Sequence, residues 1–128
     1  MLPFLSLSHQ NQIGAALAER LGLAYPDLRA LHPGLVYCAV SGYGPTGPMA
    51  SRPGIDLLFQ AESGMLAVTG SPNGLPVKVG TNAADVYAAT TAAFAITAAL
   101  LQRERTGKGS EVHVALRDAF VALQACWV

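Results

Sequence analysis

Asp85 is the residue whose type and position best suit covalent chemistry. It follows Gly80-Thr81-Asn82 and lies beside Ala83 and Ala84, where a long Ala-rich stretch begins. A carboxylate at a helix start is favoured by the helix dipole and by the unpaired amides of the first turn. Two readings stand side by side. One is a capping residue. The other is an ionised nucleophile or base, because carboxylates serve as covalent nucleophiles.

The second feature is GYGPTG at 42–47, which matches G-x-G-x-x-G after an apolar run and has Glu62 about 20 residues further on, as a dinucleotide fingerprint asks. That fingerprint needs a helix to begin within the loop, so that its amides meet a pyrophosphate. Pro48 and Pro53 interrupt any such helix. The segment therefore reads as a Gly/Pro loop at the carboxyl end of a strand, which is still where open α/β sheets bind ligands.

Other reactive types are scattered. His9, His32 and His113 show no metal-ligand spacing. Ser41, Ser63 and Ser71 lack a G-x-S-x-G setting, which argues against a serine hydrolase. Cys38 and Cys126 sit in apolar stretches without CxxC spacing and read as buried free thiols. RERTGKG (103–109) is basic, but Lys and Arg at a helix C-terminus are ordinary dipole complementation.

Composition bounds the rest. The chain has 128 residues, 52% of them hydrophobic and 12% charged, with net charge zero. An average chain carries about 25% charged residues, so this one is poor in charge. Disorder is excluded. No basic cluster suits nucleic acid. The start, MLPFLSLS, has no basic region and no small-residue cleavage site, so a signal peptide is not indicated. The apolar run Val86–Leu101 is shorter than the ~20 residues of a membrane span and is Ala/Thr-rich. It reads as a buried, tightly packed helix. A cytoplasmic protein is the expectation.

The elements that must position Asp85 and the loop follow from periodicity. NQIGAALAERLGLA (11–24) predicts a helix with Ile13, Leu17 and Leu21 on one face. Pro26-Asp27 starts a second short helix, stopped by Pro33-Gly34. LVYCAVS (35–41) is a continuous apolar run, suited to a strand covered on both faces. Residues 42–54 form a loop. IDLLFQAESGML (55–66) predicts a helix with Leu57, Leu58, Ala61 and Met65 inward. A turn-rich connector at 67–82 contains a candidate short strand, VKV. A long helix runs from Ala83 to Arg105, with Gly107 as its stop. SEVHVAL (110–116) alternates as a strand, with Val112, Val114 and Leu116 on one face and His113 on the other. A last helix runs to the end of the chain without a cap, which points to a fragment or an intertwined oligomer. The alternation argues an α/β layered architecture with a mainly parallel sheet.

The run LVYCAVSGYGPTGPMASRPGIDLLFQAESGMLAVTG resembles the core of the class III CoA-transferases, the CaiB/BaiF family. So do the KVG…AD segment ahead of the long helix and RERTGKGSEVHVAL after it. The motifs occur in the family's order over residues 17–128, and residues 1–16 depart from it. The resemblance implies part of a Rossmann-like large domain. It implies CoA transfer between an acyl-CoA thioester and a small carboxylate, with CoA as substrate and no resident cofactor or metal. It places the nucleophile on Asp85 and CoA contacts on Arg20, Ser41, Gly42, Tyr43 and Gly44. It implies an acyl–aspartyl anhydride and an interlocked homodimer. Ile55 stands where related racemases carry a His in G-H-D, which favours the transferase branch. Family members are much longer, so a catalytically inactive fragment or interaction module is the alternative.

Overall fold

The computed structural model describes residues 4–8 and 12–125, with side chains from residue 15 onward. Three parallel strands lie in the order β1 (Phe4–Ser8), β2 (Val36–Ser41), β3 (Ser110–Ala115). Val36 pairs with Phe4 on one side and Ser110 on the other, and the register runs on to Ser8, Val40 and Val114. The expected α/β arrangement with a parallel sheet is present. β1 itself was not foreseen, because FLSLS alternates over only five residues. Its strand state depends on pairing with an edge of β2.

β2 is central because both its faces can be covered. Cys38, fully buried, packs with Val40, Val112 and Val114 against α3 (Asp56–Glu62), α5 (Ala83–Thr106) and α6 (Leu116–Leu123). On the opposite face Tyr37 meets Tyr25 of α2 (Tyr25–Leu31), ring centroids 5.7 Å apart. Burial raises the Cys38 thiol above its ordinary pKa, as expected of an inert core cysteine. Cys126 lies outside the described residues.

Two helical faces differ from expectation. Among the described side chains of α1 (Gln12–Arg20) the buried one is Ala18, whereas Leu17 and, just past the helix, Leu21 are exposed; Ile13 lies outside the described side chains. Spacing marks an apolar stripe, but the side that finds a partner is a tertiary matter. In α3 the buried side chains are Asp56, Phe59 and Gln60, while Leu57, Leu58 and Ala61 face outward. That helix also stops at Glu62. Gly64, at φ +83°, separates it from a one-turn helix, α4 (Met65–Val68). VKV forms no strand; the Val79 amide donates to the Gln60 side chain instead.

α5 begins and ends close to the expected positions, and Gly107 closes it with a left-handed φ of +71° and its N–H on the Arg103 carbonyl at 2.7 Å. Only one stripe of it is buried: Ala84, Ala88, Ala92, Ala99 and Arg103. Small residues let it approach the sheet closely. The opposite stripe is bare, with Phe94 78% exposed, so the helix is not enclosed as its composition suggested. By length and hydropathy α5 would also suffice to cross a membrane, but its Ala stripe is packed on β2 and β3.

Candidate functional site

Of the residues expected to act, Ser41, Gly42, Tyr43 and Gly44 lie together at the carboxyl end of β2, whereas Arg20 ends α1 and Asp85 lies in the first turn of α5. The chain leaves β2 at Ser41, whose Oγ accepts the Gly44 amide at 3.0 Å. Gly44 has φ +85°, a turn conformation that glycine adopts without strain. The Gly42 carbonyl accepts the Arg117 backbone N–H at 3.1 Å, tying the loop to the start of α6. Tyr43 turns inward and is 5% exposed. Its ring stands edge-on to Phe59 at 5.2 Å, and the Arg117 guanidinium lies 5.7 Å from its centroid. Its hydroxyl donates to Glu62 Oε1 at 2.9 Å. Burial, and then the Glu62 contact, raises the phenol pKa, so Tyr43 is a neutral donor.

Two concavities open at this loop. One, of about 450 Å³, is bounded by Tyr43, Gly44, Thr91, His113 and Arg117. The other, of about 420 Å³, lies between α1 and the loop and is bounded by Ala15, Ala16, Glu19, Ser41, Gly44 and His113. His113, on the outward face of β3 as expected, has Nε2 3.0 Å from Glu111 Oε1 and borders both. Arg20 is exposed at the end of α1, next to Glu19.

Asp85 lies in the first turn of α5, half-buried, and borders neither concavity. It is linked to the loop through packing: its neighbour Ala84, fully buried, shares one apolar cluster with Phe59 and Tyr43. The helix is not capped by its own sequence, because Asn82 makes no side-chain capping bond. The cap comes from another element. Asp56 Oδ1 accepts the Ala84 amide at 2.7 Å and the Asp85 amide at 3.3 Å. Asp85 is therefore not the capping residue of α5. Burial, and then the Asp56 charge, raises the Asp85 carboxyl above the ordinary carboxylate range. This opposes the dipole effect that favours the anion at a helix start, because desolvation and a like charge both disfavour ionisation. A more basic carboxylate is a better nucleophile once ionised.

Asp56 and Gln60 were missed by sequence reasoning, although both are buried next to the nucleophile candidate. The available signal was the pair of polar residues four apart, flanking Phe59, on a helix otherwise read by its leucines.

The profile of CoA-transferase family III matches residues 9–128. This chain belongs to CoA-transferase family III. A succinate–glutarate CoA-transferase of Agrobacterium fabrum is 41% identical over 106 residues, 83% of this chain and 26% of that protein. An acetyl-CoA:oxalate CoA-transferase of Acetobacter aceti is 40% identical over 114 residues, 85% of this chain and 29% of that protein. Among solved structures, a CaiB/BaiF family protein of Brucella suis superimposes with a TM-score of 0.89 at 34% identity, covering 96% of this chain and 32% of that one. The chain thus spans about a quarter of the curated relatives it matches. Within the family III fold, it contributes parallel strands, the Ser41–Gly44 loop and the Asp85 helix start.

Proposed function

We propose that the protein carrying this chain moves CoA between an acyl-CoA thioester and a small carboxylate, with Asp85 as nucleophile. The observation that carries the reading is Asp85 itself: a half-buried carboxyl of raised pKa, at a helix start packed against the Ser41–Gly44 loop. An Asp85 oxygen attacks the thioester carbonyl carbon. The C–S bond breaks with its electron pair on sulfur, CoA leaves as thiolate, and an acyl–aspartyl anhydride remains. The CoA thiolate then attacks the Asp85 carbonyl of the anhydride and expels the donor as its carboxylate. The acceptor carboxylate displaces CoA from the resulting aspartyl thioester to form a second anhydride. Thiolate attack on the acceptor's acyl carbon gives the new acyl-CoA and frees Asp85. Backbone amides of the loop other than that of Gly44, which Ser41 Oγ holds, are suited to an oxyanion or to CoA phosphates. Arg20, exposed at the end of α1, is the cation that the family resemblance offers to CoA. Homodimeric assembly belongs to the same reading, supported by the family resemblance.

The test uses succinyl-CoA with glutarate and acetyl-CoA with oxalate, the pairs named for the relatives. Wild-type protein treated with hydroxylamine after the donor should yield a hydroxamate at Asp85, and Asp85→Ala should lose both transfer and adduct. Turnover that survives Asp85→Ala sinks the assignment. A second reading is favoured by the bare stripe of α5 and by the quarter-length match: the 128 residues alone form an inactive piece. CoA binding by calorimetry to the isolated chain, as a discrete dimer, would reject it.

A further inference from the structure

Asp56 and Gln60 are the two fully or nearly fully buried polar side chains of α3, one turn apart on the same face. Each of their bonds runs to the segment that delivers Asp85, or to each other. Asp56 Oδ1 takes the first-turn amides of α5. Asp56 Oδ2 accepts Gln60 Nε2 at 2.6 Å. Gln60 Nε2 also donates to the Thr81 carbonyl at 3.2 Å, and its Oε1 accepts the Val79 amide at 3.0 Å. The Gln60 amide therefore has one usable orientation, because a flip would set an oxygen against the Thr81 carbonyl and a donor against the Val79 amide. Between them in sequence, Phe59 packs edge-on against Tyr43 of the loop.

We propose that Asp56 and Gln60 are positioning residues for acyl transfer, and that α3 acts as a bracket setting the spacing between Asp85 and the Ser41–Gly44 loop. This rests on the nucleophile assigned above. The bracket holds both sides of the reaction from one short helix: its polar face grips the backbone of 79–85, and its aromatic residue grips the loop. An attack on a thioester needs the carboxylate oxygen within near-attack distance of the carbonyl carbon, and a displacement of about 1 Å can cost 10²-fold in rate. Asp56 acts through the amides of Ala84 and Asp85, whose hydrogen bonds it accepts.

The test compares wild type, Asp56→Asn, Gln60→Met and Asp85→Ala in the protein as its own gene encodes it, with succinyl-CoA as donor and glutarate as acceptor. Circular dichroism first establishes which variants are folded. Folded Asp56→Asn is expected to lose roughly 10- to 100-fold in kcat, with KM for succinyl-CoA and calorimetric CoA affinity within about twofold of wild type. Uniform binding loss would instead raise KM and leave kcat alone. Wild-type kcat in folded Asp56→Asn overturns the proposal, and so does a loss of CoA affinity equal to the loss of kcat. If Asp56→Asn does not fold, Gln60→Met decides: it keeps both α5 amide bonds, and a loss of about 3- to 10-fold in kcat at unchanged KM is expected. Wild-type kcat there overturns the proposal. Asp85→Ala separates the two claims. If it retains turnover, the nucleophile assignment fails; if it is inactive while Asp56→Asn and Gln60→Met turn over normally, only the bracket fails.

Discussion

Replacing Asp56 by Ala should open the first turn of α5 locally, and the structure sets the size of the effect. The first amides of a helix have no partner within it. Here the Ala84 and Asp85 amides bond to Asp56, and the Val86 amide is the first to reach an acceptor at the helix start, the Asn82 carbonyl at 3.0 Å. Hydrogen bonds to a charged group contribute about 1.5–3 kcal/mol each. Two of the three to Asp56 are short, at 2.7 and 2.6 Å, and the third is long, at 3.3 Å. Counting the long one as weak, and allowing for non-additivity, Asp56→Ala costs about 3–4 kcal/mol. Asp56→Asn keeps an acceptor for α5 but sets an NH₂ group against Gln60 Nε2, so it should cost about half as much, ~1.5–2 kcal/mol. Hydrogen–deuterium exchange read at the Ala84 and Asp85 amides measures this opening directly. A loss of ~3 kcal/mol corresponds to roughly 150-fold faster exchange. The order should be wild type slowest, then Asp56→Asn, then Asp56→Ala, with amides of the middle of α5 unaffected. Equal exchange at Ala84 in wild type and Asp56→Ala would refute the capping argument, because no other acceptor would then have been needed.

Further outcomes follow from the same contacts. Asp85→Asn should stabilise the fold at neutral pH. A carboxyl with a raised folded pKa stabilises fully below its unfolded pKa and loses that contribution as pH rises through the folded value. Melting temperatures should therefore favour the variant above the carboxylate range and converge with wild type below it; a variant less stable at neutral pH contradicts the sign. Gly54→Ala would set a Cβ 2.8 Å from Phe59 Cε2, in a fully buried ring that leans on Tyr43. Overpacking of this kind costs about 1–3 kcal/mol, and thermal unfolding together with weaker CoA binding should report it. Gly109→Ala would drive a Cβ into the Leu35 backbone, which cannot rotate away, so it should cost more than Gly54→Ala in the same melts. Tyr43→Phe removes only the bond to Glu62 and should cost about 0.5–1.5 kcal/mol in denaturant unfolding.

Much of the fold was legible because local rules governed it. β2 reads as an apolar run, β3 alternates, and α5 ends at the one residue type that takes a left-handed φ freely. The loop after β2 reads from its Gly and Pro content. The errors share a cause. α3 has leucines at Leu57 and Leu58, and an apolar count turns them inward, but the structure spends its buried face on Asp56, Phe59 and Gln60. Burying a carboxylate and an amide is costly unless every polar atom is paired, and their partners lie 19 to 29 residues away, on 79–85. No local pattern announces such partners. α1 likewise shows its leucine stripe, but Ala18 makes the buried contact.

The sequence by itself determined the α/β class, the family, the loop from Ser41 to Gly44 and the placement of Asp85 at a helix start. These depend on residue type, period and short spacing, which survive without a partner. The tertiary structure alone decided what surrounds that carboxyl. It showed that Asp56 rather than Asp85 or Asn82 caps α5, that Gln60 locks the approach to it, and that desolvation and a like charge raise the Asp85 pKa. Those are effects of distance and burial between elements far apart in the chain, and only folding brings them together.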